Sequence, residues 1–137
     1  MHNILLYWMD QDIDAFRVDV GLYIIKHSKY PDEPLNPDYI PGISHPNDMY
    51  THTASKDQPR GFKKLADMGN LIASRGRFVI HEVYVGAEER AMLYRLSEYG
   101  LSTPLNFDLI FTNWNAGDIK KAIFDYNALL KNEDIDP

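Results

Sequence analysis

Arg77-Phe78-Val79-Ile80-His81-Glu82-Val83-Tyr84-Val85 is the stretch that decides the fold class. It is rich in β-branched and aromatic residues and stops at Gly86, so it reads as a strand. Helical patterns flank it on both sides. Upstream, Pro59 suits a first helical turn, and Phe62, Leu65, Ala66, Gly69, Ile72 and Ala73 share one face before Gly76 stops the helix. Downstream, Glu88 and Glu89 favour a first turn, Met92, Leu93, Leu96 and Tyr99 form an apolar stripe, and Gly100 closes it.

Further out the pattern repeats. Phe107–Thr112 predicts another strand, and Asn113 or Asn115 can cap a last helix with Asp118 in its first turn. Ile119, Ala122, Ile123, Tyr126, Leu129 and Leu130 make that helix amphipathic, and 132–137 reads as a frayed tail. Towards the N-terminus, the unbroken apolar run Ile4–Met9 predicts a strand buried on both faces. Asp12 would then cap a helix whose face carries Ile13, Phe16, Val20, Tyr23, Ile24 and His27. Between 28 and 57 the helical signal vanishes among Pro31, Pro34, Pro37, Pro41 and Pro46. Interspersed Tyr and Leu residues mark this long Pro/Tyr-rich loop as an ordered excursion. The order β-α-loop-α-β-α-β-α predicts a small single α/β domain over 1–137, with about three mainly parallel strands and about four helices.

Composition bounds the function. The chain has no cysteine, which excludes disulfides, thiolate nucleophiles and cysteine-held metals. The apolar N-terminus lacks a basic leader, and no run approaches the roughly 18 apolar residues of a membrane span. A soluble, cytoplasmic protein with no membrane partner is expected. The net charge of −6 makes nucleic acid an unlikely partner. Charge is uneven, with nine acids against four bases in 1–57 and five against seven in 58–100.

Parallel sheets place ligands beyond the carboxyl ends of their strands. On the predicted order those positions hold Asp10, Asp12, Gly86, Glu88, Thr112, Asn113, Asn115 and Asp118. Asp10, Asp12 and Asp118 could hold Mg²⁺ for phosphodiesterase or nuclease chemistry, and Asn113 and Asn115 could serve a small-molecule or nucleotide sensor. Capping or turn roles explain the same residue types better, since each position lies where a cap is needed. Phosphate-binding, dinucleotide-binding, zinc-protease and serine-hydrolase motifs are all missing from the sequence.

What remains is surface chemistry. Tyr30, Tyr39, His45, Met49, Tyr50 and His52 stand on the proline-stiffened excursion, and Arg60, Lys63 and Lys64 form a basic patch beside it. Aromatic side chains on stiff backbone suit protein interfaces. The leading expectation is therefore a non-enzymatic protein that binds another protein, of the inhibitor, immunity or phage-accessory kind. It would need no cofactor and no metal.

Overall fold

A computed structural model describes residues 1–135, ordered as α1 (His2–Asp10), β1 (Ala15–Val18), α2 (Pro59–Ala73), β2 (Phe78–His81), α3 (Ala87–Arg95), β3 (Ser102–Pro104) and α4 (Ala116–Asn132). One-turn 3₁₀ helices occupy Gly21–Tyr23, Pro46–Met49 and Asp108–Ile110. The strands form one sheet in the order β1-β2-β3, with both pairings parallel. Three parallel strands and four helices thus match the expected α/β class. Two of the strands, however, lie elsewhere than expected.

Ile4–Met9 is a helix. Leu5 and Met9 are buried four residues apart, while Ile4, Tyr7 and Trp8 are exposed. A short run that is apolar at every position carries no period, so the sequence could not separate a strand from a helix there. Leu5 and Met9 pack with Met68, Ile72 and Val79 in one core cluster. The segment expected to be a helix after Asp12 instead supplies β1. Phe16 and Val18 are half-buried and Ala15 and Arg17 exposed, which is the alternation of a strand. β1 lies in register Phe16↔Val79 and Val18↔His81 on β2. The chain then turns through Gly21, where a Cβ would come 2.6 Å from Leu65 Cδ2. Only glycine lets this turn sit so close to α2.

The third strand is Ser102–Pro104, not Phe107–Thr112. Pro104 has no amide to donate, and the pairing with β2 does not call on one, since the Leu105 amide donates to the His81 carbonyl at 2.8 Å. α4 continues through Asn132, and Glu133 pairs with Arg95, so this part of the expected tail is held. Asp136 and Pro137, the rest of that tail, lie outside the described residues.

The helices cover one face of the sheet. Val79 and His81 on β2 are 0% and 1% exposed, whereas Phe78, on the opposite face, is 41% exposed and Ile80 half-buried. A second cluster of Leu22, Phe62, Leu65, Val83 and Leu93 continues the core towards the carboxyl ends of the strands.

The excursion is tied down by its own polar groups. Leu35 and Tyr50 form an antiparallel bridge, and Asn36 donates its side-chain amide to the Asp48 carbonyl at 2.9 Å. The Glu33 carboxylate accepts from the Ala54 amide at 3.1 Å and the Ser55 amide at 2.5 Å. Desolvation pulls its pKa upward, but bonds from Ser55, Ala54 and Thr53 outweigh that and hold it below the usual carboxylate value.

Candidate active site

Side chains two apart on a strand share a face, and register fixes which of them meet across the ladder. Arg17 is paired with Ile80, so the next same-face positions are Asp19 and Glu82. Both lie just past the carboxyl ends of their strands, on the face that the helices leave uncovered. The ladder runs on past β2 to bring them level, with the Glu82 amide donating to the Val18 carbonyl at 2.9 Å. Val20 then turns the chain in the left-handed region (φ 37°, ψ 45°), a conformation strained for a β-branched residue. That turn lets the Gly21 amide reach the Glu82 carbonyl at 3.3 Å.

One guanidinium nitrogen joins the two carboxylates. Arg17 Nη2 lies 3.0 Å from Asp19 Oδ1 and also donates to Glu82 Oε2. Two oxygens within hydrogen-bond reach of one nitrogen stand no more than about 6 Å apart. The side chains differ in environment: that of Glu82 is 9% exposed and that of Asp19 67%. The other Glu82 oxygen, Oε1, accepts from the Tyr84 hydroxyl at 2.8 Å. That bond to Glu82 is the main reason the Tyr84 phenol is pushed above its usual pKa, since an ionised phenol could not donate it. Tyr84 stacks on Phe107 with ring centroids 4.5 Å apart and planes within 5°. Tyr23, Lys56 and Asp57 line the same depression, and a cavity of about 290 Å³ bounded by Asp57, Phe62, Tyr84, Gly86 and Glu89 opens beside it.

The residues expected to carry function are placed elsewhere. Asp14 and Arg77 directly precede β1 and β2 and pair with each other, and Asp12 lies 3.7 Å from Arg77. Asp10 lies 3.9 Å from Arg75. Asp10 and Asp12 therefore belong to the amino-terminal end of the sheet, because the segment before them is a helix. Asp118 accepts from the side-chain amides of Asn113 and Asn115, bonds that hold it below the usual aspartate pKa, and Asn115 caps α4 by accepting from the Asp118 amide. These are capping roles. Among the described residues, no group of three or more His, Asp or Glu gathers to hold a metal.

The surface residues are spread over the excursion and α2. Tyr30 is 78% exposed, Met49 and Tyr50 are exposed, and Tyr39 is half-buried. His45 Nδ1 accepts from the Asn47 amide as a turn cap, and His52 sits between the Asn47 carbonyl and the Ser55 hydroxyl. Lys63 is paired with Asp67 at 3.0 Å, Arg60 is exposed and Lys64 half-buried. None of them reaches the Arg17–Asp19–Glu82 group.

Sequence reasoning passed over Asp19 and Glu82. The signal was present in the opening stretch itself, where Glu82 interrupts an apolar strand near its carboxyl end. A charge in that position has to be paired, and in parallel α/β folds strand ends are where chemistry is carried.

Comparison with known proteins adds a separate line of observation. Residues 1–134 match the family model for the alpha amylase catalytic domain. The chain is 30% identical over 125 residues to Maltase A2 of Drosophila melanogaster, covering 81% of this chain and 21% of the relative. It is 27% identical over 135 residues to an alpha-glucosidase of Culex pipiens, covering 90% and 23%. Its fold superposes on the solved structure of an alpha-glucosyl transfer enzyme, XgtA, with a TM-score of 0.71 at 20% identity, covering 93% of this chain and 25% of that one. The chain thus spans about a fifth to a quarter of the length of these relatives. These matches overturn the expectation of an inhibitor, immunity or phage-accessory protein that works by occupying another protein's surface. The family match over nearly the whole chain shows that it belongs to the alpha-amylase catalytic-domain family.

Proposed function

We propose that this chain carries the two reacting carboxylates of a retaining glycoside-cleaving or glycosyl-transferring site for α-glucosides. The observation that carries the reading is the pairing of Asp19 and Glu82 on one Arg17 nitrogen at adjacent strand ends. Retaining glycosidases hold their carboxyl groups about 5–5.5 Å apart, whereas inverting ones leave room for a water at about 6.5–9.5 Å. A shared hydrogen-bond donor keeps this pair on the retaining side. The acid of such pairs sits in the drier place and the nucleophile in the polar, ionised one. On that rule Glu82 is the acid/base and Asp19 the nucleophile.

The steps balance. Asp19 attacks the anomeric carbon while the glycosidic C–O bond breaks and Glu82 gives its proton to the departing oxygen. Water or an acceptor hydroxyl then gives a proton back to Glu82 and attacks the same carbon, releasing Asp19. The α-glucoside class is drawn from the names of the relatives, a maltase and an alpha-glucosidase.

The same reading extends to the fold. Three consecutive parallel strands alternate with helices on one face, and the other face is uncovered. That is the construction of part of a parallel (β/α)₈ barrel, which collects catalytic groups at the carboxyl ends of its strands. Kinetics on the whole translated protein test the function. Glu82→Gln is expected to lower kcat/KM on maltose by about 10²–10⁴-fold, the contribution typical of general acid–base catalysis. Activity within a few-fold of the parent would remove the reading.

A further inference from the structure

We infer that Tyr84 is a positioning residue for the acid/base: it is the partner that lets Glu82 change protonation state without moving, and its ring is held in place by Phe107. The inference rests on the reading of Glu82 given above.

Glu82 is nearly buried and held at both oxygens, by Arg17 from β1 and by the Tyr84 hydroxyl two residues further along its own strand end. The two donors are not equivalent. A guanidinium has only N–H groups and cannot accept a hydrogen bond, whereas a phenol can donate or accept. When Glu82 is ionised both partners donate to it. When Glu82 is protonated, the oxygen facing Arg17 cannot carry the hydrogen without opposing an N–H. The proton therefore belongs on Oε1, where the Tyr84 hydroxyl can rotate and accept it until a glycosidic oxygen takes it. Arg17 thus fixes the position of the carboxyl group, and Tyr84 decides which oxygen is the acid.

The ring must be fixed for this to work, and it is. Tyr84 is half-exposed, yet it lies parallel to Phe107, which follows the third strand. An offset-stacked pair of this kind is favourable and directional. The charged and titratable groups around Tyr84 and Glu82 are Arg17 from β1 and Asp19 just past it, Tyr23 from the 3₁₀ turn that follows, Lys56 and Asp57 from the excursion, and Glu89 from α3. Of the groups around it, Tyr84 is the one within hydrogen-bond reach of Oε1 that can both donate and accept.

The test is the pH profile and leaving-group dependence of Tyr84→Phe in the whole translated protein, beside Phe107→Leu and Glu82→Gln. Tyr84→Phe keeps the ring and the stack and removes one hydroxyl. It is expected to lower kcat on maltose about 10-fold with KM within about twofold, the size of a lost hydrogen bond to a charged group. With that hydroxyl donor gone, the basic limb of kcat/KM should move to higher pH. The loss should be smaller on 4-nitrophenyl α-glucoside, whose leaving group needs little protonation. Phe107→Leu should give a smaller shift in the same direction. An inactive Glu82→Gln beside a Tyr84→Phe with an unchanged profile on both substrates overturns the inference alone. An active Glu82→Gln overturns the reading beneath it, and the inference with it.

Discussion

Arg17 does two jobs at the scale of single residues. It offsets part of the repulsion between two carboxylates that stand close together, and it limits the distance between them. Replacing it with lysine keeps one charge but loses the planar fork, so the swap is not conservative here. Arg17→Lys is expected to fold normally, since the side chain is 59% exposed, and to lose about 10-fold or more in kcat/KM on maltose. Parallel circular dichroism and kinetics check both halves of that outcome.

His81 is the other residue whose chemistry can be read directly. It is 1% exposed, bonded through Nε2 to the Ser102 hydroxyl at 2.8 Å, and pushed down to a pKa of about 4 by burial. The unfolded chain therefore binds a proton below about pH 6.5 that the folded chain refuses until about pH 4. The contribution is present in full above pH 6.5 and is lost as pH falls through this window, to the extent of about 3 kcal/mol. Urea unfolding at pH 7 and pH 4.5 should show the loss, and His81→Leu should flatten that part of the curve.

Packing decides between elements where the sequence alone is ambiguous. The strand around Val79 and the helix beginning at Pro59 were legible because each has a clear period and clear stops. Ile4–Met9 was not, because it has no polar position to set a period, and the burial of only Leu5 and Met9 decides for a helix. Residues 13–24 show the opposite failure. Their apolar positions fit helical spacing, but tertiary pairing with β2 took Ala15–Val18 into the sheet. That error moved the expected strand ends to Asp10 and Asp12, and so hid Asp19. Capping at Asn115 was read correctly because it depends only on local chemistry.

Two element-level outcomes follow from contacts. Gly69 lies where α2 crosses the sheet, and a Cβ there would meet Ser102 Oγ at 2.4 Å and His81 Nε2 at 3.1 Å. Gly69→Ala should therefore destabilise by about 1–3 kcal/mol despite its gain in helix propensity, measurable as a lowered urea midpoint. Glu33 fastens the excursion by accepting the Ala54 and Ser55 amides. Glu33→Gln should speed limited proteolysis within 28–57 and leave the α2 region as protected as before; unchanged cleavage would show that the fastening lies elsewhere.

At the scale of the whole molecule, the sheet is covered by helices on one face only. Its other face carries Asp19 and Glu82 at one end and Phe78 and Ile80 below them. If these strands belong to a closed parallel barrel, that face is interior. Ile80→Asp in the whole protein should then act as a charge placed in a core and abolish soluble expression. A solvent-facing position would instead change stability by no more than about 0.5 kcal/mol. The fold class was legible from alternating strand and helix signals. The family was not, because Arg17 meets Glu82, 65 residues away in sequence, only through the register between β1 and β2.

Trapping the covalent intermediate identifies the nucleophile. The whole protein is incubated with a fluorinated α-glucosyl donor whose glycosyl-enzyme breaks down slowly, then digested and sequenced by mass spectrometry. One glucosyl adduct is expected, carried by Asp19. An adduct on Glu82 or on any other residue would contradict that assignment.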